Sequence, residues 1–299
     1  MSVITQKDAS HEMRQYARDQ MSDAQEVDYR QVTSEGRTRR IRIARITTFR
    51  DWLSLFPPLL LALVLLVSWG ISTTAGHVSS LFLPAPHDVF TSLVDGFGAG
   101  AYLRNALLMT VQESVLGFLL AVVIALPLGY GVAKSRLVAM TVQPYLAAGQ
   151  AIPALVLAVF LALWLGYGIV PNMVVCALVV VFPMVMNTIL GVQTIDSACV
   201  DAARVEGASG WSMLAHIEFP LALPALLAAI RTGFTLSITG AVVSEFVGGG
   251  DPGLGSLVLQ AKTQYDTPLM FASVVVLALL AALYYSATWL LVKLASRYY

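Results

Sequence analysis

The sequence predicts an all-α membrane protein with six transmembrane helices and with both termini on the cytoplasmic side. Three observations lead there. Of 299 residues, 57% are hydrophobic and only 12% charged, with a mean hydropathy of +0.74, whereas a soluble domain carries about 25% charged residues. The charge is also uneven: residues 1–51 hold ten of the 18 Lys and Arg and eight of the 18 Asp and Glu. The remainder contains six apolar runs, each long enough for the roughly 20 residues a helix needs to cross hydrocarbon. This composition excludes a soluble enzyme, a nucleic-acid binder and a disordered chain.

Two domains follow. Residues 1–51 form a charged cytoplasmic tail ending in a basic stretch, RTRRIRIAR at 37–45, suited to anionic lipid headgroups. No apolar core precedes Trp52, so the sequence shows no cleavable signal and the first span should stay as an anchor. Residues 52–299 form the transmembrane domain. Its expected spans are Leu53–Thr73, Asn105–Ala133, Val142–Leu165, Val170–Leu190, Leu223–Val247 and Leu269–Lys293. The second is long enough to overshoot the bilayer, and Arg231, Gly233 and Thr235 dilute the fifth. Solidly apolar runs such as LLLALVLLV exclude a β-barrel, whose strands alternate. Six spans place 16 of the 18 Lys and Arg on one side, leaving only Arg104 and Lys262 on the other, which makes the first side cytoplasmic. Cys176 and Cys199 read as packing residues rather than a redox pair.

The stretch between spans four and five, residues 196–224, is the most informative. Asp201 suits the first turn of a helix, facing the positive end of its dipole. Ala202 and Ala203 favour helix and allow close approach by another surface. Gly207 or Gly210 can end the helix in a left-handed conformation. A second segment, Trp211–Ile217, follows, and Pro220 and Pro224 are expected to break and redirect the chain. The product is a compact cytoplasmic protrusion that a soluble partner can grip.

That stretch resembles the EAA loop of binding-protein-dependent ABC importer permeases, with Asp201, Ala202, Ala203, Gly207, Ile217, Phe219 and Pro220 at the family's spacing. Asp at 201 and Phe at 219 are mild departures from Glu and Leu. The likeness extends over about residues 80–295 and points to the nitrate, sulfonate and taurine branch through LFLPAPHDVFTSL, GFLLAVVIALPLG, QAIPALVLAVFLALWLGYG and FPMVMNTILGVQTID. It implies a type I importer permease fold in a prokaryotic inner membrane. It also implies two ATPase subunits docked on the loop through Asp201, Ala202, Ala203, Arg204, Glu206, Gly207, Ala208, Ile217 and Pro220, a solute-binding protein outside, and a second permease copy, as a homodimer. Arg204 and Glu206 either pair with the ATPase or are simply solvated.

The chain carries no Gly-x-x-x-x-Gly-Lys-Ser/Thr phosphate loop. Gly248–Gly250 reads as a flexible connection. His11, His77, His87 and His216 make no metal-binding pair. ATP and Mg are therefore expected on the partner ATPases, with no cofactor or metal on this chain and no enzymatic activity of its own.

Polar groups inside spans mark either function or interhelical hydrogen bonds. Gln112, Glu113, Gln150, Asn187, Ser244 and Glu245 are the candidates, with Glu113 or Glu245 lining the pathway or its outer gate. The surroundings of Glu113 and Glu245 look like those in permeases for thiamine-precursor pyrimidines and riboflavin. The resemblance implies a heterocyclic solute. Nitrate, a sulfonate, taurine or bicarbonate stands as the alternative. A secondary transporter would leave the EAA-like loop unexplained.

Overall fold

The computed structural model describes residues 48–74, 79–98, 100–247 and 252–295. The charged tail, the basic stretch 37–45 and Gly248–Gly250 lie outside the described residues. The chain separates into two units, Met1–Leu63 and Val64–Tyr299. Of the first, the described part is the beginning of one helix.

All regular structure among the described residues is helical. The helices are α1 (Thr48–Thr74), α2 (Pro86–Phe97), α3 (Tyr102–Ala133), α4 (Arg136–Ala151), α5 (Ala154–Leu165) and α6 (Ile169–Gln193). Then come α7 (Ser197–Val205), α8 (Gly210–Met213), a π-turn (Leu214–Glu218), α9 (Phe219–Val247), α10 (Leu254–Gln264) and α11 (Thr267–Ala295). Four continuous helical segments are long and apolar enough to cross a membrane: Tyr102–Ala133, Ile169–Gln193, Gly210–Val247 and Thr267–Leu294. The bent pair α4–α5 makes a fifth if it counts as one span. In α1, the apolar part among the described residues is Leu60–Thr74.

Two expectations about these elements need correction. The third span is not a straight helix: α4 and α5 meet at 85°. Pro153 explains the break, because its ring excludes helical geometry from the residue before it, and Ile152 is accordingly extended at φ −69°, ψ 122°. Conversely, Pro220 and Pro224 do not break the chain. Helix runs unbroken from Gly210 to Val247. Pro220 lacks an N–H and crowds the carbonyl four residues back, and the wider π-turn ending at Glu218 absorbs that mismatch.

The core lies where α3, α6 and α9 pack. Ala121 and Ala125 of α3 are buried against Val180, Met184, Val185 and Ile189 of α6 and Ala229 of α9. Near Cys176 the approach is closest. A Cβ added at Gly117 would collide with the Cys176 side chain, and one at Gly240 would lie 2.7 Å from the Cys176 Cα. Both cysteines are free, Cys176 buried and Cys199 exposed. A second cluster joins Val89 of α2, Leu103 and Ala106 of α3, Leu254 and Leu257 of α10, and Ala272 of α11. The short helices α2 and α10 thus cap the end of the bundle opposite the α7–α8 segment. Outward faces carry apolar side chains such as Val123, Leu163, Trp164 and Leu279.

Candidate functional site

At one end of the bundle, α7 and α8 form the protrusion. Its first helix begins earlier than the sequence suggests. Asp196, not Asp201, is the N-cap, its carboxylate accepting from Ala198 N at 2.9 Å. Asp201 therefore sits within the helix, where it pairs with Arg204 one turn on at 3.0 Å, both side chains 66% exposed. The end of α7 is closed by a Schellman motif. Ala208 N donates to Ala203 O at 2.9 Å and Gly207 N donates to Arg204 O at 3.0 Å. Gly207 supplies the required left-handed backbone at φ +91°, and Gly210 turns the chain into α8 at φ +53°. Ala203 faces inward, while Asp201, Ala202, Arg204 and Glu206 face solvent. Ile217 and Pro220 are half-buried in the turn that leads into α9. Two large apolar side chains stand out on this protrusion, Val205 at 89% and Trp211 at 78% exposure.

Beneath it lies a cluster that sequence reasoning missed. The Lys134 ammonium, just past α3, donates to both oxygens of Glu218 at 2.5 and 2.6 Å, and Tyr130 Oη donates to Glu218 Oε2 at 2.6 Å. Burial alone would lower the Lys134 pKa. The bonds to Glu218 and Tyr130 outweigh it and hold the ammonium above its ordinary value of 10.5. These residues and Arg204, Trp211 and Met213 line an open cleft of about 470 Å³. The available signal was a lone acid, Glu218, between Ile217 and Phe219 in a region otherwise turning apolar.

At the other end, four helices converge on buried polar groups. Glu113 and Thr110 of α3 and Glu245 and Ser244 of α9 are all at most 4% exposed. Asn172 of α6 donates to Glu113 Oε1 at 2.7 Å and accepts from Ser244 Oγ. Thr110 Oγ1 donates to Glu245 Oε1 at 2.7 Å and accepts from Leu254 N at 2.9 Å, while Gly255 N donates to Glu245 Oε2. The start of α10 is thereby seated on an acid from α9. A carboxylate suits a helix N-terminus, whose first N–H groups lack partners within the helix. The structure thus brings Glu113, Ser244 and Glu245 together, with Asn172 and Thr110 as partners that sequence reasoning had not singled out. It does not bring Gln112 or Gln150 to them. Both are exposed.

Gln150 lines a different space, a cleft of about 390 Å³ at the α4–α5 bend. Pro153, Leu178, Phe182 and Leu236 contribute to its walls, and Gln150 is the sole polar side chain in its lining among the described residues. Asn187 is half-buried in α6. No cluster of His, Cys, Asp and Glu fit for a metal occurs among the described residues.

A bundle of long apolar helices, with a helical protrusion at one end and a helix-capping polar knot at the other, defines a multi-pass membrane transport subunit. Residues 117–298 match the family described as the binding-protein-dependent transport system inner membrane component, and the chain belongs to that family. It is 37% identical over 248 residues to the riboflavin transport system permease protein RibX of Chloroflexus aurantiacus, covering 83% of this chain and 91% of that one. It is 28% identical over 225 residues to the putative aliphatic sulfonates transport permease protein SsuC of Bacillus subtilis, covering 75% and 81%. Among solved structures, the inward-facing MetNI methionine ABC transporter shares the fold, with TM-score 0.59 and 21% identity over 64% of this chain and 94% of that one. The chain is thus an ABC transporter permease subunit, not an enzyme.

Proposed function

We propose that this chain forms the translocation pathway of an ATP-driven importer for a riboflavin-like or pyrimidine heterocycle. It does so as a homodimer with two ATPase subunits and a solute-binding protein. In this reading the chain crosses the inner membrane six times. The termini and the Ser197–Glu218 protrusion are cytoplasmic, and α2 and α10 are outside. ATP and Mg belong to the ATPases, which dock on Asp201–Ala208, Ile217 and Pro220 and on the exposed Val205 and Trp211. Lipid covers the outward apolar faces, and the basic stretch 37–45 meets anionic headgroups.

The likeness to RibX carries the choice of solute. The cleft at the α4–α5 bend supports it. Its volume falls within the roughly 300–1,000 Å³ of small-molecule sites, its walls are apolar, and Gln150 offers an amide to a ring edge. Among the described residues no cation lines it, which favours an uncharged ring over a sulfonate. Glu113 and Glu245 lie outside this cleft. Both are buried in the polar knot, and in this reading they hold α10 over the outer end of the pathway.

The test is uptake. The permease, its ATPase and the binding protein encoded beside it are reconstituted in proteoliposomes and offered labelled riboflavin, a thiamine-precursor pyrimidine, taurine and nitrate. ATP-dependent accumulation of a heterocycle is expected. Accumulation of taurine or nitrate alone would replace this reading with the small-anion one.

A further inference from the structure

We propose that Glu218 is a positioning residue that locks the protrusion to α3, through Lys134 and Tyr130, so that a push on the protrusion moves α3 and α9 together. The proposal rests on the reading of Asp201–Ala208, Ile217 and Pro220 as the residues on which the ATPases dock; Glu218 itself is buried beneath them.

Three observations carry it. The first is the helical register. Along Gly210–Val247 the buried positions include Met213, Glu218, Ala222, Leu226, Ala229 and Gly233. Every interval in that series is three or four residues except Met213 to Glu218, which is five and spans the π-turn. A regular α-helix would carry a residue five positions on past the buried face. The wider turn removes that excess rotation, so Met213 of the protrusion and Glu218 both point inward.

The second is the completeness of the clamp. The Glu218 side chain is 6% exposed and that of Lys134 43%. Both carboxylate oxygens take the ammonium, and one also takes the Tyr130 hydroxyl. A buried acid is costly unless it is paired in this way, so the clamp resists sliding between the end of α3 and the root of α9. The contact is also nonlocal, joining residues 84 apart in the chain.

The third is placement. The clamp forms one wall of the cleft whose other walls, Arg204, Ser209 and Trp211, belong to the protrusion. At the far end the same two helices are joined again, by Thr110 of α3 and Glu245 of α9. Helices α3 and α9 are therefore pinned at both ends, and the pin nearest the protrusion is Glu218.

The experiment uses the whole transporter in proteoliposomes. It records co-purification of the ATPase subunits, ATP hydrolysis with and without binding protein, and solute moved per ATP. In Glu218→Gln the ATPases stay bound and hydrolysis without binding protein stays within about twofold, while solute moved per ATP falls about tenfold, inside the 5- to 150-fold span of typical site coupling. The double variant Lys134→Glu with Glu218→Lys recovers most of that loss, which a purely structural defect would not allow. Unchanged solute per ATP in Glu218→Gln overturns the proposal, as does a loss that the exchanged pair does not relieve. Should Glu218→Gln fail to accumulate, Tyr130→Phe decides, since it removes one hydrogen bond and no charge. Reduced solute per ATP supports the clamp, and wild-type coupling overturns it. Failure of the unmodified permease to retain ATPases is a separate result and would strike the docking reading itself.

Discussion

Thr110 shows how much a single hydroxyl can hold in a membrane core. Its oxygen donates to Glu245 and accepts from Leu254 N, joining α3, α9 and α10 at one fully buried atom. Thr110→Val keeps the shape and strands both partners. The expected cost is about 2–3 kcal/mol, in line with leaving buried polar groups unmade, read as a lowered unfolding temperature in detergent. Gly207 poses the opposite case. A Cβ there would touch nothing within 4 Å, yet the backbone stands at φ +91°. Gly207→Ala therefore pays only conformational strain, about 1–2 kcal/mol, and the Schellman closure loosens. Membrane abundance should stay at wild-type level on an immunoblot while ATP-driven uptake drops. The sequence made Glu113 and Glu245 visible, because an acid inside an apolar run announces itself. Their partners were not visible: Thr110 and Glu245 are 135 residues apart, and only tertiary packing selects that pair. Asp201 was misplaced for a local reason, since the better cap, Asp196, stood five residues earlier.

Among elements, the bend between α4 and α5 most alters how the pathway is understood. Apart from Gln143, Tyr145 and Gln150 the stretch Val142–Leu165 is apolar, so length and hydropathy suggest a single span. The geometry is set by Pro153 and its effect on Ile152. The bend opens the cleft that Gln150 lines, and this yields a kinetic expectation. Gln150→Leu should lower the maximal uptake rate, while the solute concentration for half-maximal uptake, governed by the binding protein in the proposed assembly, stays put. Initial-rate uptake across a solute series checks both parameters. A shift in half-saturation alone would move Gln150 out of the pathway. The long apolar helices α3, α6 and α11 were legible to within a few residues, because hydrocarbon demands length and internal hydrogen bonding, whereas the helix ending at Val247 begins at Gly210, well before the expected Leu223. Helices α2 and α10, of 12 and 11 residues, were not, being too short to span and too mixed in composition to stand out. The π-turn was not legible either, since Pro220 reads equally well as a helix breaker and only the packed register shows that a wider turn absorbs it.

At the level of the whole molecule, orientation rests on the distribution of Lys and Arg, and exposed Cys199 on α7 offers a direct check. A membrane-impermeant maleimide should modify Cys199 in inside-out vesicles and spare it in right-side-out ones. Labelling from the outer side would invert the topology. The family was readable because the 196–224 stretch keeps the spacing of the EAA loop. Solute identity was less readable, because in the proposed assembly much of the selectivity sits on another chain.

The crossing at Cys176 has a mechanical corollary. Its side chain is lodged between Gly117 of α3 and Gly240 of α9, where neither helix tolerates even a methyl group. Sliding α3 by one turn, about 5.4 Å, would bring Glu113 or Ala121 to the place of Gly117. Sliding α9 likewise would bring Leu236 or Ser244 to that of Gly240. The crossing therefore blocks piston-like strokes among α3, α6 and α9. What it leaves open is leverage, in which the three helices tilt as one stiff arm about a fulcrum outside their shared contact.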